Sequence, residues 1–435
     1  MSDVTLNPID RPFTATVIPP GSKSLTNRAL ILAALASGVS ELSNVLLADD
    51  TLAMLDGLQK LGFEITQSEN RITVVGGGGR VPATSADLFC GNSGTTIRFL
   101  SALCAIGKGS FTLDGIARMR QRPIDELATL LRNLGARVEF PEKQGYPPLR
   151  ILAHGLGGGI LKYGAAASSQ FLSAVLMVSP YARHEVRVDL EAVQTSWPYV
   201  AMTMRLMDQF GHTAELIRDP ATGDPRQIII SKGAYTAAKY SVEPDASNAA
   251  YFLAAAAVHR GSAVTIADLG KSSLQGDIGF AAVLASMGAR LALDKNSVTV
   301  TGTDRLDGID VDLLHMPDQA QTLAVVALFA RGRTVIRGLH TLRLKETDRL
   351  AALSGELRKF GATVAVENDN TLLIDPPLTP TAATVATYDD HRMAMSFAVA
   401  GTKISGVTIA DAQCVNKTYP RFFEDLELLR AAQLR

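Results

Sequence analysis

An internal repeat of about 73 residues constrains this chain more than any other feature. Five times along the sequence, an apolar-periodic helix is followed by a glycine and then by an alternating strand. Those glycines lie 73, 76, 77 and 73 residues apart, at Gly62, Gly135, Gly211, Gly288 and Gly361. A glycine in this place suits the left-handed conformation that ends a helix, and alternation is typical of a half-buried strand.

Clusters of small polar residues run in step with the glycines, each ahead of an Ala/Leu-rich helix. They occur six times, at Ser22, Asn92, Ser168, Asp245, Asp318 and Asp390. Six units of similar length therefore account for all 435 residues. Each unit has two helices and several strands, so it resembles a βαβ-type piece that cannot bury its apolar faces alone.

Grouping the units by threes places a boundary near Lys239–Ser241. The sixth unit has no room for its last glycine and strand. We expect the N-terminal segment Arg11–Pro20 (RPFTATVIPP) to supply that strand, which would assign the start of the chain to the second half.

Composition excludes several classes of protein. There are 42 Lys and Arg against 43 Asp and Glu, a balance that argues against nucleic acid as the main partner. The longest apolar run, Ala249–Val258, has about half the length of a bilayer-spanning helix. Cys90, Cys104 and Cys414 form neither a disulfide framework nor a metal-binding CxxC pair. With no signal-like N-terminus, we expect a soluble cytoplasmic protein without a structural metal.

Cationic side chains accompany the polar clusters at predicted helix starts. Helix N-capping explains the Ser, Asn and Asp residues there. It does not explain Lys23, Arg28 and Arg392, because a positive charge near the N-terminal end of a helix is unfavourable beside the helix dipole. A bound anion that the cations and the helix N-terminus share is the better explanation. The string GSKS is not a nucleotide-binding P-loop, because a serine separates Gly21 from Lys23.

Further charged residues lie in three short strings. GIARMRQRPI contains Arg122 beside two other arginines, and VNKTYP contains Lys417. LRLKETDRL places five charges within seven residues, among them Lys345, Glu346 and Arg349. Residues alone leave two interpretations open for that string, a salt-bridged exposed helix or part of an anion site.

Ten strings, from PGSKSLTNRALILAAL near the N-terminus to NKTYP near the C-terminus, resemble the enolpyruvyl transferase family. The others are GNSGTTIR, RMRQRP, ASSQF, SWPY, EPDASNAAYFLAAAA, MPDQAQTLAVVALFA, LRLKETDRL and YDDHRMAM. They follow the family's order across residues 20–420. The resemblance implies an α/β fold of two lobes, each of three βαβαββ units (an inside-out α/β barrel). The lobes would be residues 21–239 and residues 1–20 plus 240–435.

The resemblance also implies a reaction. The enolpyruvyl group of phosphoenolpyruvate moves to the 5-hydroxyl of shikimate 3-phosphate through a tetrahedral intermediate, and phosphate is released. It implies no metal or organic cofactor, no nucleic-acid or membrane partner, and a monomer. Both substrates are polyanions, which accounts for cations concentrated in one cleft of a chain that is nearly neutral overall.

Residue roles follow from the matched strings. The resemblance implies shikimate 3-phosphate binding by Lys23, Ser24, Arg28, Ser168, Ser169, Gln170, Ser196, Asp318, Thr341 and Lys345. It implies phosphoenolpyruvate binding by Lys23, Asn92, Gly94, Arg122, Gln170, Arg349, Arg392 and Lys417, with Tyr199 also lining the cleft. Catalytic roles fall to Lys23, to Asp318 as proton acceptor for the 5-hydroxyl, and to Glu346 as proton donor to the methylene carbon.

Three positions depart from the family's pattern. Thr341 replaces a frequent Asn, Trp197 a more usual Lys or Arg, and Phe99 a frequent Pro. We expect Trp197 to pack rather than bind. Because Gly94 is retained, the resemblance implies inhibition by glyphosate.

Two other functions remain as alternatives. One is the family branch that acts on UDP-N-acetylglucosamine, which uses a reactive Cys and an Ala-Lys-Asn first motif. The other is a non-catalytic anion-binding or scaffold protein, which the presence of both Asp318 and Glu346 disfavours.

Overall fold

The computed structural model of the chain describes residues 3–164 and 167–433. Contacts between Cα atoms divide it into two compact units, one formed by Gly21–Val242 and one by Met1–Pro20 together with Glu243–Arg435.

Strands and helices are numbered in chain order. The strands are β1 (Val4–Thr5), β2 (Thr14–Val17), β3 (Ser37–Ser43), β4 (Glu64–Ser68), β5 (Arg71–Gly77), β6 (Ser85–Phe89), β7 (Lys108–Asp114), β8 (Arg137–Glu139), β9 (Leu149–His154), β10 (Gly159–Tyr163), β11 (Val186–Leu190), β12 (Glu215–Arg218), β13 (Pro225–Ile230), β14 (Lys239–Ser241), β15 (Ala263–Ala267), β16 (Arg290–Leu293), β17 (Ser297–Thr301), β18 (Leu306–Asp307), β19 (Asp310–Asp312), β20 (Ala330–Arg331), β21 (Thr334–Arg337), β22 (Thr363–Glu367), β23 (Thr371–Asp375), β24 (Thr384–Val385) and β25 (Thr408–Ile409). The helices are α1 (Lys23–Leu35), α2 (Asp49–Lys60), α3 (Gly94–Ile106), α4 (Asp125–Asn133), α5 (Ser169–Val178), α6 (Trp197–Gln209), α7 (Ala246–Val258), α8 (Phe280–Ser286), α9 (Ala320–Ala327), α10 (Arg349–Lys359), α11 (His391–Gly401) and α12 (Phe422–Ala431).

The unit Gly21–Val242 contains three four-stranded sheets of one design. Their strand orders are β14-β3-β5-β4, β6-β7-β9-β8 and β10-β11-β13-β12. In each sheet the first pair is parallel and the other two pairs are antiparallel. The first sheet takes its parallel strand from β14, with Tyr240 opposite Leu42, so the chain stays in this unit as far as Val242.

The other unit repeats this design. Two of its sheets have the orders β2-β15-β17-β16 and β19-β21-β23-β22, with the same parallel and antiparallel pairs. The sixth repeat contributes the three-stranded sheet β1-β25-β24, and β18 pairs with β20 in a short additional sheet. The repeated β-α-β-α-β-β order is the α/β class that the sequence predicts.

The first helix of each repeat forms the core of its unit. Helices α1, α3 and α5 contact one another in one unit, as α7, α9 and α11 do in the other. These helices are apolar on all sides, which is typical of helices surrounded by protein. Every residue of α3, α7, α9 and α11 is buried. In α1 and α5 only the first two residues of each keep partial exposure: Lys23, Ser24, Ser169 and Gln170.

Both sequence landmarks have the predicted backbone roles. The five repeat glycines have φ angles of +86°, +95°, +83°, +117° and +93° in chain order, all in the region that favours glycine. Five of the polar clusters supply a side-chain N-cap: Ser22, Ser93, Ser168, Asp245 and Asp390. In the fifth repeat a 3₁₀ turn, Pro317–Gln319, leads into α9, so Asp318 does not cap that helix.

The N-terminal segment contributes strands to two sheets. We expected Arg11–Pro20 to complete the sixth repeat, but the antiparallel partner there is β1, with Val4 opposite Ile409. Strand β2 instead lies parallel to β15 in the fourth repeat, with Ala15 opposite Val264. The position beside β15 is open to β2 because β14, which precedes the fourth repeat, pairs with β3 of the first.

In the described part of the chain, each helix is too short or too polar to cross a lipid bilayer. Within those same residues, no group of three or more His, Cys, Asp and Glu side chains could hold a metal ion. The three cysteines are free, with Cys90 and Cys104 buried.

A buried histidine should make the stability of the second unit depend on pH. Burial, and secondarily Lys403, lower the pKa of His259 from 6.5 to about 4. The unfolded chain therefore takes up a proton between those values that the folded chain does not, so stability falls as pH decreases through this window. From pH 7 to pH 5 the loss attributable to His259 should be about 2 kcal/mol.

Urea unfolding at the two pH values measures this loss. The variant His259→Gln, whose amide can still reach Thr402, should lose about 2 kcal/mol less than the unaltered protein over the same interval. The exposed His154→Gln is the matched control and should retain the pH dependence of the unaltered protein. Identical pH curves for His259→Gln and the unaltered protein would contradict the prediction.

Candidate active site

In the unit Gly21–Val242, the predicted residues lie at the N-terminal ends of core helices. Lys23 is the first residue of α1, and its Nζ lies 3.0 Å from Oδ2 of Asp50 at the start of α2. The Lys23 side chain keeps 13% of its area exposed, whereas Asp50 is buried. The ammonium group is thus oriented by a fixed carboxylate while one side stays accessible, as an anion-binding lysine requires.

Arg28 lies one turn further along α1 and is fully buried. Its Nε donates to Oγ1 of Thr203 at 2.7 Å, and its Nη2 donates to Oγ of Ser173 at 3.1 Å. The guanidinium also lies over the ring of Phe99, 5.1 Å from its centroid, and over that of Tyr199 at 5.9 Å. Burial lowers its pKa to about 10, which leaves it charged at neutral pH. Residues from α1, α3, α5 and α6 therefore converge on one cation.

A clamp between α3 and α5 fixes Gln170. Nη1 of Arg98 donates to Oε1 of Gln170 at 2.5 Å and to Oγ of Ser168 at 3.4 Å. Nε2 of Gln170 in turn donates to Oγ1 of Thr95 at 3.0 Å. The Arg98 guanidinium lies 4.8 Å from the centroid of the Phe171 ring. Both ends of the Gln170 amide are therefore held, so its rotamer is set before any ligand arrives.

Arg122 lies against the start of α3. Its Nη1 donates to the backbone oxygen of Asn92 at 3.1 Å and to the side-chain oxygen of the same residue at 3.4 Å. A Cβ atom on Gly94 would meet Nη2 of Arg122 at 2.6 Å. Nε of Arg122 is buried and has no hydrogen-bond partner within the described residues. A guanidinium against a helix N-terminus, with a donor unused, is a site for an anion.

The serines have distinct surroundings. Ser169 is the first residue of α5, and the backbone oxygen of Ser24 accepts a hydrogen bond from Nη1 of Arg28 at 2.9 Å. Ser196, which precedes α6, has a φ of +55°, a conformation that non-glycine residues adopt rarely. Trp197 follows it and is half-buried. A strained serine at a helix start is typical of functional sites.

In the second unit, Asp318 is the centre of an ion network. Its Oδ1 lies 3.2 Å from Nζ of Lys345 and 3.0 Å from Nη1 of Arg349. Its Oδ2 lies 3.2 Å from Nη2 of Arg392. Burial by itself would raise the pKa of Asp318, but Lys345, Arg392 and Arg349 reverse this and hold its pKa well below the ordinary value.

The buried guanidinium of Arg349 links three carboxylates. Besides Asp318, its Nη2 donates to Oε2 of Glu346 at 2.9 Å, and its Nε donates to Oδ2 of Asp390 at 2.7 Å. Burial opposes its charge, but Asp390, Glu346 and Asp318 together raise its pKa above the ordinary value. Burial lowers the pKa of Lys345, although Asp318 opposes that effect. Three cations and three carboxylates thus balance in a network that a polyanion can enter by exchange of partners.

The remaining predicted residues of this unit lie in short turns. Lys417 ends the 3₁₀ turn Ala412–Lys417 and is buried. Thr341 precedes the turn Leu342–Leu344, and its buried Oγ1 has no hydrogen-bond partner within the described residues. A buried hydroxyl in this state can still donate to a ligand and accept from it.

In the unit Gly21–Val242 the predicted residues lie at or beside the starts of α1, α3, α5 and α6, which we call the first cluster. In the other unit most of them lie around Asp318, which we call the second cluster. The structure adds residues to both clusters that the sequence does not predict. Arg98 and Thr95 clamp Gln170, while Asp390 and Tyr251 contact Arg349 and Arg392, respectively. Arg98 stands in the GNSGTTIR string and Asp390 in YDDHRMAM, so the motifs contained both residues. Tyr251, 141 residues from Arg392, has no local signal that predicts its contact.

Each cluster contains groups of the kind that bind anions, and the second also contains groups that can transfer protons. Helix N-termini, guanidinium groups and ammonium groups bind phosphate and carboxylate, and Asp318 and Glu346 can exchange protons with a bound substrate. The repeat architecture defines an α/β protein built from repeats, and the clusters have the charged groups that binding of a polyanion requires.

Comparisons with known proteins identify the family. The model of the EPSP synthase (3-phosphoshikimate 1-carboxyvinyltransferase) family matches residues 9–426. The 3-phosphoshikimate 1-carboxyvinyltransferase of Sulfurovum sp. (strain NBC37-1) is 44% identical over 431 residues, covering 98% of this chain and 99% of that protein. The enzyme of that name from Nostoc punctiforme is 45% identical over 434 residues, covering 98% of this chain and 100% of that protein. The chain belongs to the EPSP synthase family.

Solved structures agree with the fold class. The EPSP synthase from Acinetobacter baumannii matches with a TM-score of 0.82 at 26% sequence identity, covering 98% of this chain and 97% of that one. The resemblance to enolpyruvyl transferases and the prediction of an α/β, two-lobed class of repeated βαβαββ units are confirmed.

Proposed function

We propose that this chain transfers the enolpyruvyl group of phosphoenolpyruvate to the 5-hydroxyl of shikimate 3-phosphate and releases phosphate. One observation carries the proposal: Asp318 is held by three cations, one of which, Arg349, also holds the carboxylate of Glu346. An acid and a base are thereby placed within one charged network, as addition of a hydroxyl to an enol phosphate requires. The reaction belongs to aromatic amino acid biosynthesis, and we place the enzyme in the cytoplasm as a monomer.

We further propose that both clusters bind the substrates, and that the two units are the two lobes of three repeats each. The shikimate 3-phosphate residues are Lys23, Ser24, Arg28, Ser168, Ser169, Gln170, Ser196, Asp318, Thr341 and Lys345. The phosphoenolpyruvate residues are Lys23, Asn92, Gly94, Arg122, Gln170, Arg349, Arg392 and Lys417. The hydrogen bonds that hold Arg28 and Gln170 support this assignment, because pre-oriented groups lose little conformational entropy on binding.

In the addition step, Asp318 takes the proton of the 5-hydroxyl as the hydroxyl oxygen bonds to C2 of phosphoenolpyruvate, and Glu346 in its protonated form donates a proton to C3. In the elimination step, the C2–O bond to phosphate breaks, C3 returns its proton to Glu346, and the leaving phosphate takes the proton that Asp318 holds. The low pKa of Asp318 without substrate makes it a weak base. When the phosphate and carboxylate groups of the substrates bind Lys345, Arg349 and Arg392, they compete with Asp318 for those cations. Its pKa then rises and it becomes a stronger base.

The nucleotide-sugar branch of the family is the alternative. Its chemistry uses a reactive cysteine, which must be a thiolate to act. Burial raises the pKa of both Cys90 and Cys104 above the ordinary value, so neither is suited to that role.

Phosphate release tests the proposal. The purified chain is incubated with phosphoenolpyruvate and either shikimate 3-phosphate or UDP-N-acetylglucosamine, and the organic product is identified by mass. We expect phosphate and the enolpyruvyl ether with shikimate 3-phosphate alone. Turnover of the nucleotide sugar would assign the chain to the other branch, and no turnover of either would favour a non-catalytic binding protein.

Gly94 should control phosphoenolpyruvate affinity and glyphosate inhibition. A methyl group at this position would push the Arg122 guanidinium aside, since the two would be 2.6 Å apart. Overpacking of this kind costs about 1–3 kcal/mol, so KM for phosphoenolpyruvate should rise about 10–100-fold in Gly94→Ala. We expect glyphosate to inhibit the unaltered enzyme and to inhibit Gly94→Ala less.

Steady-state kinetics against both substrates checks this expectation. Gly157→Ala is the control, because its added carbon would lie 3.4 Å from the backbone oxygen of Leu134, an ordinary contact. An unaltered enzyme indifferent to glyphosate would contradict the prediction and draw attention to Phe99, which packs against Arg28.

A further inference from the structure

The short segment Leu274–Asp277 carries two buried polar side chains that the proposed mechanism does not use. It lies between β15 and α8, and its last two residues open the 3₁₀ turn Gly276–Gly279. Gln275 is 7% exposed and Asp277 is 3% exposed. A buried carboxylate is costly to fold into a protein unless it is hydrogen-bonded or paired with a cation.

Asp277 bonds to the turn that holds Asp318. Its Oδ2 accepts a hydrogen bond from Nε2 of Gln319 at 3.0 Å and another from Oγ of Ser247 in the first turn of α7. Gln319 is fully buried and directly follows Asp318. Within the described residues, its side chain makes this one hydrogen bond, since Oε1 has no partner. Asp277 is therefore the polar anchor of the Gln319 side chain.

Gln275 anchors the same segment to the start of α7. Its Oε1 accepts from the backbone N–H of Ala246 at 3.0 Å, and its Nε2 donates to the backbone oxygen of Pro244 at 2.7 Å. Oε1 of Glu243 accepts a hydrogen bond from the backbone N–H of Leu274 at 3.0 Å. The segment is thus fixed on one side to the N-terminus of a core helix and on the other to the turn Pro317–Gln319.

The turn needs such an anchor. It has three residues and precedes α9 without a side-chain cap, so helix geometry alone does not fix the direction of the Asp318 side chain. The Asp318 carboxylate must nevertheless reach Lys345, Arg349 and Arg392 at once, at 3.0–3.2 Å. A shift of about 1 Å would break part of that arrangement and lower the rate by about 100-fold.

We propose that Asp277 is a positioning residue for the transfer reaction, acting through Gln319 to fix the carboxylate of Asp318 among its three cations. The inference rests on the proposed role of Asp318 as the base.

A reversal of the hydrogen bond tests this inference. Gln319→Glu replaces the donor and places a second carboxylate against Asp277. In the double variant Asp277→Asn with Gln319→Glu, the amide at position 277 can donate to the carboxylate at position 319, so the hydrogen bond is restored with donor and acceptor exchanged. We expect Gln319→Glu to lower kcat about 10–100-fold with KM for both substrates changed less than about threefold, and the double variant to recover most of kcat. The acid limb of the kcat/KM–pH profile, which reports the free enzyme, should also move to higher pH in Gln319→Glu, because Asp318 leaves its cations.

Thr402→Val serves as the control. This substitution removes a buried hydroxyl that lies just beyond the C-terminal end of α11 and forms a hydrogen bond with His259. It should lower the melting temperature but leave kcat unchanged. If Gln319→Glu does not fold, Gln319→Met removes the donor without added charge, and the same reduced kcat is expected. An unaltered kcat and pH profile in the single variants, or a double variant no better than Gln319→Glu, would overturn the inference. Inactivity of the unaltered enzyme toward both substrates would instead overturn the proposed function.

Discussion

Asp318→Asn should lower kcat by about 10²–10⁴-fold, the contribution typical of a general base. The amide keeps the size of the side chain and an oxygen for Lys345 or Arg349, but it cannot take the proton of the substrate hydroxyl. Substrate affinity should not fall, because removal of a negative charge leaves the neighbouring cations more available to phosphate and carboxylate groups. Steady-state kinetics and a binding titration with shikimate 3-phosphate measure the two effects separately.

Asp310→Asn is the matched control. Asp310 also pairs with an arginine, Arg337 at 2.7 Å, but both side chains are about half exposed, and neither belongs to the clusters. We expect it to retain normal turnover. Near-normal turnover in Asp318→Asn would remove that residue from the mechanism.

Arg349→Met should be the most destabilising single substitution in the second cluster. It leaves Asp390 and Glu346 buried without their common cation, a change that costs about 3–5 kcal/mol. For a unit of this size, such a loss corresponds to a decrease in melting temperature of about 10 °C. Loss of a phosphoenolpyruvate contact should raise KM for that substrate as well.

Calorimetric scans at pH 7 measure the decrease in melting temperature. The exposed pair offers the control Arg337→Met, which should cost less than about 1 kcal/mol. Equal melting temperatures for the two variants at pH 7 would contradict the argument.

The elements that the sequence predicts best depend on local signals. Gly135 and its four counterparts can be located because left-handed helix ends require glycine, and the capping residues because they act within one turn. The strand positions of the N-terminal segment could not be assigned in the same way. Whether Thr14–Val17 pairs with the fourth or the sixth repeat depends on which sheet has an open edge, and that depends on β14, more than 200 residues away.

In the candidate site, too, the sequence predicts local features better than distant contacts. It indicates the cations, because a positive charge such as Lys23 or Arg392 at the N-terminal end of a helix is unfavourable beside the helix dipole. Their supports were not found, because Arg98 to Gln170 and Arg349 to Asp390 span 72 and 41 residues, respectively, and are set by packing. Asp277 was missed for a further reason, since an isolated aspartate beside a glycine predicts only a turn.

Strands β1 and β2 of the N-terminal segment pair with strands far along the chain, which affects the order in which parts of the protein can fold during synthesis. Strand β2 is synthesised at the beginning, but β15 follows about 250 residues later, about 10–50 s at ordinary elongation rates. The unit Gly21–Val242 has all of its strands by then, whereas β1 must wait for β25 near the other end. Nascent chains should therefore acquire protease resistance in the middle of the sequence first, with the leading residues among the last to become protected.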